Sequence, residues 1–332
     1  MAARAKPKSK SKSQRPKAVS QIAPPDPVEA HRLLQAVLDD PDDDEARRGY
    51  AGYLTGHGDP RGEMIAVQCE LAKRGGLTAQ DDPDSADLWD KFRELHSAHA
   101  AKWTKPLRVL GKETKWELQR GFVGRLLIDS ADAGCTPDAL TEIFASEPVV
   151  ELTLGGSETQ LRKLLDVPGI ERIRRLAVHD WSPADGGSHV CTAVAASEEL
   201  TGVIELRLGV KLGDAGIRAL VTPRALQAVT HLALCAPDCS ANVFGELARS
   251  PLGQRLEILE WTREDVTPQI VELVVALPAL RTFVVSAGYF DAMQNVLVQR
   301  FGDRLVIEDE AGNDHVTGGV TGVSLRTWPK RS

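Results

Sequence analysis

A short pattern of apolar residues recurs between residues 116 and 312. An apolar residue is followed by two others, a second apolar residue, one other and a third apolar residue, which is the alternation expected of a strand. Successive copies of this pattern lie 24 to 30 residues apart, and the later stretch RLVIEDE indicates an eighth strand. The middle residues of the seven clear copies are Leu126, Leu152, Leu176, Leu206, Leu232, Leu259 and Phe283. Such regular recurrence is typical of a repeat architecture.

Helical stretches separate these strands. Examples are TPDALTEIFAS, DAGIRALVTP and TPQIVELVVALPA, in which a cap or turn residue precedes apolar residues at helical spacing. The alternation favours an α/β solenoid with parallel strands on a concave face and helices on a convex face, since loops absorb the irregular spacing. The competing architecture is a doubly wound sheet with a ligand crevice. Gly155 and Gly156 are its best phosphate-binding turn, but the third glycine and the downstream acid are missing, which favours an ordinary loop.

The first part of the chain predicts helices alone. VEAHRLLQAVL, EARRGYAGYLTGHG and PRGEMIAVQCELAK carry apolar residues at helical spacing. The acidic run DDPDDDE lacks the glycine and the distal glutamate of a calcium loop, so Asp42 to Asp44 are expected to cap the second helix. Asp59 is expected to cap the third helix, and Arg61 to pair with acids of the second.

The stretch from Leu33 to Lys73 resembles the short repeat-companion domain at the N-terminus of many large bacterial proteins with leucine-rich or related repeats. The family usually has Tyr-Ala-Asp-Trp-Leu where this chain has Tyr50 to Leu54, without the acid and the tryptophan. The resemblance implies no catalytic activity. The matching residues are Leu33, Leu34, Ala36, Pro41, Asp42 to Asp44, Arg47, Tyr50, Ala51, Leu54, Gly58, Asp59, Pro60, Arg61, Gly62, Glu63, Ile65, Gln68 and Leu71, followed by the tryptophan-rich link and Gly-Phe step at Trp103, Trp116, Gly121 and Phe122.

The repeats themselves resemble a helix-containing, ribonuclease-inhibitor-like leucine-rich repeat array. They are degenerate, because the asparagine or cysteine that usually follows the strand is mostly missing and residues such as Ser157 and Asp180 stand there instead. The predicted organisation is a disordered basic tail at 1–26, a helical repeat-companion domain at 27–115, a leucine-rich repeat solenoid at 116–312 and a C-terminal tail at 313–332.

Charge is distributed unevenly along the chain. Residues 1–25 hold seven basic and no acidic residues, whereas the remainder holds 33 basic and 47 acidic ones. The stretch KPKSKSKSQRPK has no apolar residue with which to offset the entropy of ordering, so we expect it to be disordered. A basic arm can bind polyanions, which gives an alternative function as a nucleic-acid-associated adaptor. The residues for that contact are Lys6, Lys8, Lys10, Lys12, Arg15 and Lys17.

Composition bears on location and chemistry. No apolar run approaches the roughly 20 residues that span a bilayer, and the N-terminus lacks the apolar block of a secretory signal, so we expect a cytoplasmic protein that does not bind membranes. Five scattered cysteines predict reduced, mostly buried thiols, with Cys69 inert on an apolar helix face. His96 and His99 have a spacing that suits a metal, but no third ligand is near them in sequence, which favours surface histidines.

The residues assemble no catalytic set in the sequence, so we expect neither enzymatic activity nor a cofactor. An enzyme built on loop residues His179, Asp180 and Asp185 is the weakest alternative. In a solenoid, alternate strand residues point away from the core and form a binding surface, which predicts a non-enzymatic module that binds an unidentified protein partner. The candidate partner-binding residues are Glu151, Thr153, Arg175, His179, Glu205, Arg207, His231, Ile258, Glu260 and Thr282, with Ala177 and Ala233 between them.

Overall fold

The computed structural model describes residues 24–75, 82–111, 114–128, 134–179, 187–221, 226–235, 238–262, 266–286 and 293–308. The six candidate polyanion-binding residues of the predicted basic tail lie outside these stretches, as does the predicted C-terminal tail at 313–332. Within the described stretches, no helix is long and apolar enough to cross a membrane.

Strands and helices alternate along most of the described chain. The helices are α1 Pro27–Asp39, α2 Asp44–Gly56, α3 Pro60–Lys73, α4 Ala86–Trp103, α5 Pro137–Phe144, α6 Glu158–Leu164, α7 Ser188–Ala196, α8 Asp214–Leu220, α9 Ala241–Arg249, α10 Pro251–Arg255, α11 Pro268–Val275 and α12 Gln294–Phe301. The strands are β1 Lys115–Gln119, β2 Phe122–Ile128, β3 Glu151–Gly155, β4 Arg175–His179, β5 Glu205–Gly209, β6 His231–Cys235, β7 Ile258–Thr262, β8 Thr282–Ser286 and β9 Leu305–Glu308.

All nine strands belong to one sheet, and their order in the sheet follows the chain from β1 to β9. The β1–β2 pair is antiparallel, and every later pair is parallel. A mostly parallel α/β sheet is therefore confirmed. Among the described strands the order never reverses, unlike that of a doubly wound sheet, and the two end strands do not pair to close a barrel.

The predicted middle residues of the repeats form one continuous row. Leu126 lies opposite Leu152, Leu152 opposite Leu176, and the row continues in register to Phe283 on β8 and Leu305 on β9. The seven predicted members of this row are at most 1% exposed. Helices α5 to α9 contact one another in chain order, α9 contacts both α10 and α11, and α11 contacts α12, so they form one layer. The buried leucines of the sheet and of these helices share one core.

Short polar side chains begin the helices, as the sequence predicted. The Asp43 carboxylate accepts a hydrogen bond from the backbone N–H of Glu45 at 2.7 Å, and Asp59 accepts one from that of Arg61 at 2.9 Å. Both caps place a carboxylate at the positive end of a helix, where the charge is stabilising. The predicted capping of α2 and α3 is thereby confirmed.

The antiparallel strand β1 was not predicted. Its hairpin with β2 turns at Arg120 and Gly121, both of which have positive φ. A side chain at Gly121 would also approach the backbone Cα of Ile65 on α3 to 2.8 Å, so only glycine fits this turn against the helix. The hairpin therefore brings the sheet into direct contact with α3.

The ring of Phe122 completes this contact between the helices and the sheet. The guanidinium of Arg61 lies 4.6 Å from the ring centroid, that of Arg47 lies 5.3 Å from it, and Tyr50 stacks on the ring at 5.9 Å. Phe122 itself is fully buried. Buried cation–π contacts contribute up to about 2 kcal/mol each. The helical part is thus attached to the first strands of the sheet by residues from both.

Arg61 does not pair with the second helix, contrary to the expectation. Its Nη2 instead donates to both carboxylate oxygens of Glu147, at 2.8 and 2.7 Å, and its Nε donates to the carbonyl of Gly121 at 3.0 Å. Glu147 is buried and also accepts the backbone N–H of Val123 at 2.8 Å. A charge buried in this way is stabilised only by such close pairing, which makes this contact a fixed one.

Candidate functional site

The sheet has a face opposite the helix layer, which we call the outer face. Strand alternation and parallel register arrange its side chains in three rows that cross the sheet from strand to strand. The first row is Arg125, Glu151, Arg175, Glu205, His231, Ile258 and Thr282. The second row is Leu127, Thr153, Ala177, Arg207, Ala233, Glu260 and Val284. The third row includes Gly155, His179, Gly209, Cys235, Thr262 and Ser286.

Charges of alternating sign occupy the first strands of the outer face. Arg125 lies between Glu117 on β1, at 3.6 Å, and Glu151 on β3, at 3.8 Å. Glu151 also pairs with Arg175 on β4, whose side chain remains 46% exposed. Opposite charges on neighbouring strands stabilise the register of a sheet. The result is a row of fixed charges that is still open to solvent at Arg175.

A second charged cluster lies across β5, β6 and β7. The guanidinium of Arg207 on β5 reaches over β6 and forms a bidentate pair with Glu260 on β7, at 2.8 and 2.9 Å. The residue between them in the row is Ala233, whose small side chain leaves the space that the guanidinium crosses. Arg207 also donates from Nε to Glu205 at 2.6 Å. His231 Nε2 lies 2.7 Å from Glu260 Oε1.

The carboxyl group of Glu260 is ionised in this cluster. Burial by itself would raise its pKa, but the hydrogen bond and charge of His231, together with those of Arg207, lower the pKa to about 2. For Arg207, burial would lower the pKa, but the Glu260 and Glu205 carboxylates raise it above its ordinary value. Each charge therefore stabilises the other, as expected for a buried and hydrogen-bonded pair.

The ten predicted partner-binding residues all lie on the outer face, but they differ in exposure. His231 and Glu260 are 3% and 2% exposed, and Ala233, which is on β6 with His231, is 1% exposed, so none of these side chains is presented to solvent. Alternation predicts the direction of a side chain and says nothing about how deeply its neighbours bury it. The residues with at least partial exposure are Glu151, Thr153, Arg175, Ala177, His179, Glu205, Arg207, Ile258 and Thr282.

Two members of the charged row were not among the sequence candidates. Glu117 lies on the unpredicted strand β1, and the sequence offers no repeat signal for it. Arg125 could have been found, because it precedes the middle residue Leu126 as Glu151 precedes Leu152. The repeat pattern therefore places Arg125 and Glu151 in the same row.

The other candidate chemistry has structural roles. Cys69 is buried at 1% exposure, and burial raises the pKa of its thiol, which fits an unreactive cysteine. His96 packs beside Phe92 and Trp116, and His99 beside Trp103. In the described residues no three His, Cys, Asp or Glu side chains come together as a metal site. Of the loop-enzyme residues, His179 ends β4, and Asp180 and Asp185 lie outside the described residues.

Comparison with models of known protein families gave no match, and comparison with curated proteins gave none either.

Proposed function

We propose that this chain is a non-enzymatic interaction protein that binds a protein partner on the β2–β5 half of the outer face. In this proposal the strands and helices after residue 116 act as a degenerate leucine-rich repeat solenoid, and residues 27–115 act as its repeat-companion cap. The observation that carries the proposal is the pair of partly exposed guanidinium groups of Arg175 and Arg207. Arg175 is held by Glu151 of the neighbouring strand, and Arg207 by Glu205 of its own strand and Glu260 two strands away.

Both guanidinium groups are ordered before a partner arrives. Arg207 uses three N–H groups in its bonds to Glu205 and Glu260, and its side chain is still 37% exposed. A group that is already fixed loses little conformational entropy on binding, and arginine is enriched in protein interfaces. Its remaining N–H groups suit carboxylates or backbone carbonyls of a partner.

Small residues lie beside these guanidinium groups. Thr153 and Ala177 occupy the second row on β3 and β4, next to Arg207 on β5. Both are half-buried, so a partner can approach the strands closely there while it meets the charged row alongside. The β2–β5 half of the outer face therefore has small residues in its second row and charged residues in its first row. This composition suits contact with a polar protein surface.

Charge reversal at one of these arginines tests the proposal. Tagged protein would be used to capture partners from cells of the native host, comparing wild type with Arg175→Glu. The matched control is Arg218→Glu on helix α8, because Arg218 is similarly exposed and also forms an ion pair, with Glu246 at 3.4 Å. We expect Arg218→Glu to capture the same protein as wild type and Arg175→Glu to lose it, with both variants folded by thermal melting.

Equal capture by Arg175→Glu and wild type would contradict the proposal. A truncated chain that lacks residues 1–23 provides the second comparison. We expect it to retain the partner, since the outer face is intact. Capture of nucleic acid that requires these residues and falls steeply with salt would favour the polyanion-binding alternative instead.

A further inference from the structure

One row of the apolar core ends in an exposed residue. Two residues after the row of Leu126, a second core row crosses the sheet from β2 to β9. Its first seven members are at most 3% exposed, whereas the eighth, Ile307 on β9, is 44% exposed. Leu305, which ends the row of Leu126, is only half-buried. The seven buried members are Ile128, Leu154, Val178, Leu208, Leu234, Trp261 and Val285.

The opposite end of the same row is covered. Ile128 on β2 is 1% exposed, although it too lies close to an end of the sheet. Strand β1 pairs with β2, and Leu118 of β1 and Trp103 of α4 belong to the same hydrophobic core as Ile128. An end position therefore does not by itself expose a core residue. The difference at Ile307 is that, among the described strands, β9 pairs with β8 alone.

Helix α12 contributes a second exposed apolar residue at this end. Its Leu297 is buried, and its Arg300 donates from Nε to Glu272 on α11 at 3.0 Å. Successive residues of a helix are turned by about 100°, so Val298 lies about 200° from Arg300, on the side away from α11. Val298 is 50% exposed. We call the free edge of β9, together with Ile307 and Val298, the open end.

An open end of this kind requires a cover. Stacked units that contact only their neighbours need a polar cap at each end, because the last unit otherwise exposes core residues. A free strand edge beside apolar side chains also pairs with other chains. Ile307 differs from an ordinary exposed residue, since the rest of its row is buried. The open end is therefore a surface that we expect to be occupied.

The residues that follow β9 have a composition suited to this surface. Residues 309–332, which lie outside the described residues, include the stretch VTGVSLRTW at 320–328. Val323 and Leu325 alternate with polar neighbours, as in a strand with one buried side. Only residues 309–319 separate this stretch from β9, so bringing it to the open end costs less entropy than binding a separate chain.

We propose that residues 320–328 dock on the open end, where Val323 and Leu325 cover Ile307 and Val298. The contact removes apolar surface from water, which is stabilising in proportion to the area buried. The segment also offers backbone N–H and C=O groups to the free edge of β9. This interaction lies within one chain, so it does not depend on the protein partner proposed for the outer face.

Hydrogen exchange of β9 tests this proposal. Full-length protein would be compared with a chain that lacks residues 313–332, and mass spectrometry would follow peptides from β9 and, as the control, from β5. Deletion should speed exchange of the β9 peptide about tenfold and leave the β5 peptide unchanged, since only β9 loses bonds at its free edge. We also expect the melting temperature to fall by about 4–8 °C.

Two single substitutions in the full-length chain test which side of the segment makes the contact. Leu325→Asp puts a charge on an apolar position, and Ser324→Asp puts the same charge on the neighbouring residue, which strand alternation places on the opposite side. We expect the β9 peptide of Leu325→Asp to exchange like that of the truncated chain. The β9 peptide of Ser324→Asp should exchange like that of wild type.

A second copy of the chain is the other cover that this surface could have. Analytical ultracentrifugation of wild type at several concentrations distinguishes the two, and we expect a monomer whose β9 exchange does not depend on protein concentration. A dimer whose formation slows β9 exchange would overturn the proposal. Equal β9 exchange in wild type, Leu325→Asp and the truncated chain would also overturn it.

Discussion

The two halves of the outer face have the same backbone geometry but different electrostatics. In the β2–β5 half, Arg175 holds its partner Glu151 while it stays 46% exposed. In the β6–β8 half, Glu260 and His231 are almost fully buried and hydrogen-bonded to each other. The outer face of one parallel sheet therefore carries partly exposed ion pairs at one end and a buried, hydrogen-bonded cluster at the other.

Neighbour size accounts for part of this difference. Arg207 can reach Glu260 because Ala233 leaves the strand between them open. Breaking a surface ion pair changes stability little, whereas leaving a buried charge without its partner is strongly destabilising. Substitutions in the β6–β8 half should therefore mainly lower the free energy of unfolding, and substitutions in the β2–β5 half should mainly weaken partner binding.

The largest expected effect is the removal of the Glu260 carboxylate. Glu260→Ala leaves Arg207 and His231 without their shared partner, and we expect the free energy of unfolding to fall by about 3–5 kcal/mol. Arg175→Ala, at the exposed end of the face, should lower it by less than about 1 kcal/mol. Denaturant unfolding of both variants measures the difference, and losses of equal size would contradict the division into halves.

The same cluster predicts a dependence on pH. The pKa of Glu260 is lowered to about 2 from an ordinary 4.5, so its stabilising contribution is complete above pH 4.5 and is lost as the pH falls through 2. The corresponding free energy is on the order of 3 kcal/mol. We expect the stability gap between wild type and Glu260→Gln to shrink by about that amount between pH 5 and pH 2. A gap that stays constant across this range would show that Glu260 has no lowered pKa.

A larger side chain under the Arg207 guanidinium should have an intermediate effect. Ala233→Val fills the space over which Arg207 reaches Glu260, and we expect it to lower the free energy of unfolding by about 1–3 kcal/mol. The matched control is Ala177→Val, in the same row on β4 but half-exposed, which we expect to be nearly neutral. Thermal unfolding of both variants compares the two positions, and a neutral Ala233→Val would mean that the guanidinium does not need this space.

The smallest expected effect is the coupling between Glu151 and Arg175. A double-mutant cycle with alanine at each position should give a coupling energy of about 0.2–1 kcal/mol that weakens as salt is added. A coupling above 2 kcal/mol, insensitive to salt, would mean that this pair is as fixed as the Arg207–Glu260 pair.

The sequence was sufficient for the strands after β1 and for their core row. Each repeat carries its own apolar alternation, so Leu126, Leu152 and their equivalents could be placed without knowledge of any distant contact. Strand β1 was missed because KWELQ has only Leu118 buried and does not follow the repeat pattern. Its turn depends on the contact of Gly121 with Ile65, which is a property of the folded chain.

Long-range pairing was the information that the sequence lacked. Arg61 was expected to bind acids of the preceding helix, but its partner Glu147 follows it by 86 residues. The burial of Glu260 depends likewise on Arg207, 53 residues earlier and two strands away. Local spacing predicts which side of a strand a charged residue occupies, and only the assembled sheet determines whether that residue remains open to a partner.

Photo-crosslinking from the outer face tests the proposed docking surface most directly. A benzophenone side chain would replace Thr153 on β3 or, as the control, the exposed Thr159 on helix α6. If the β2–β5 half of the outer face binds the partner, irradiation in cells should link one protein to position 153 and none to position 159. The same crosslink from position 159, with none from position 153, would contradict the account.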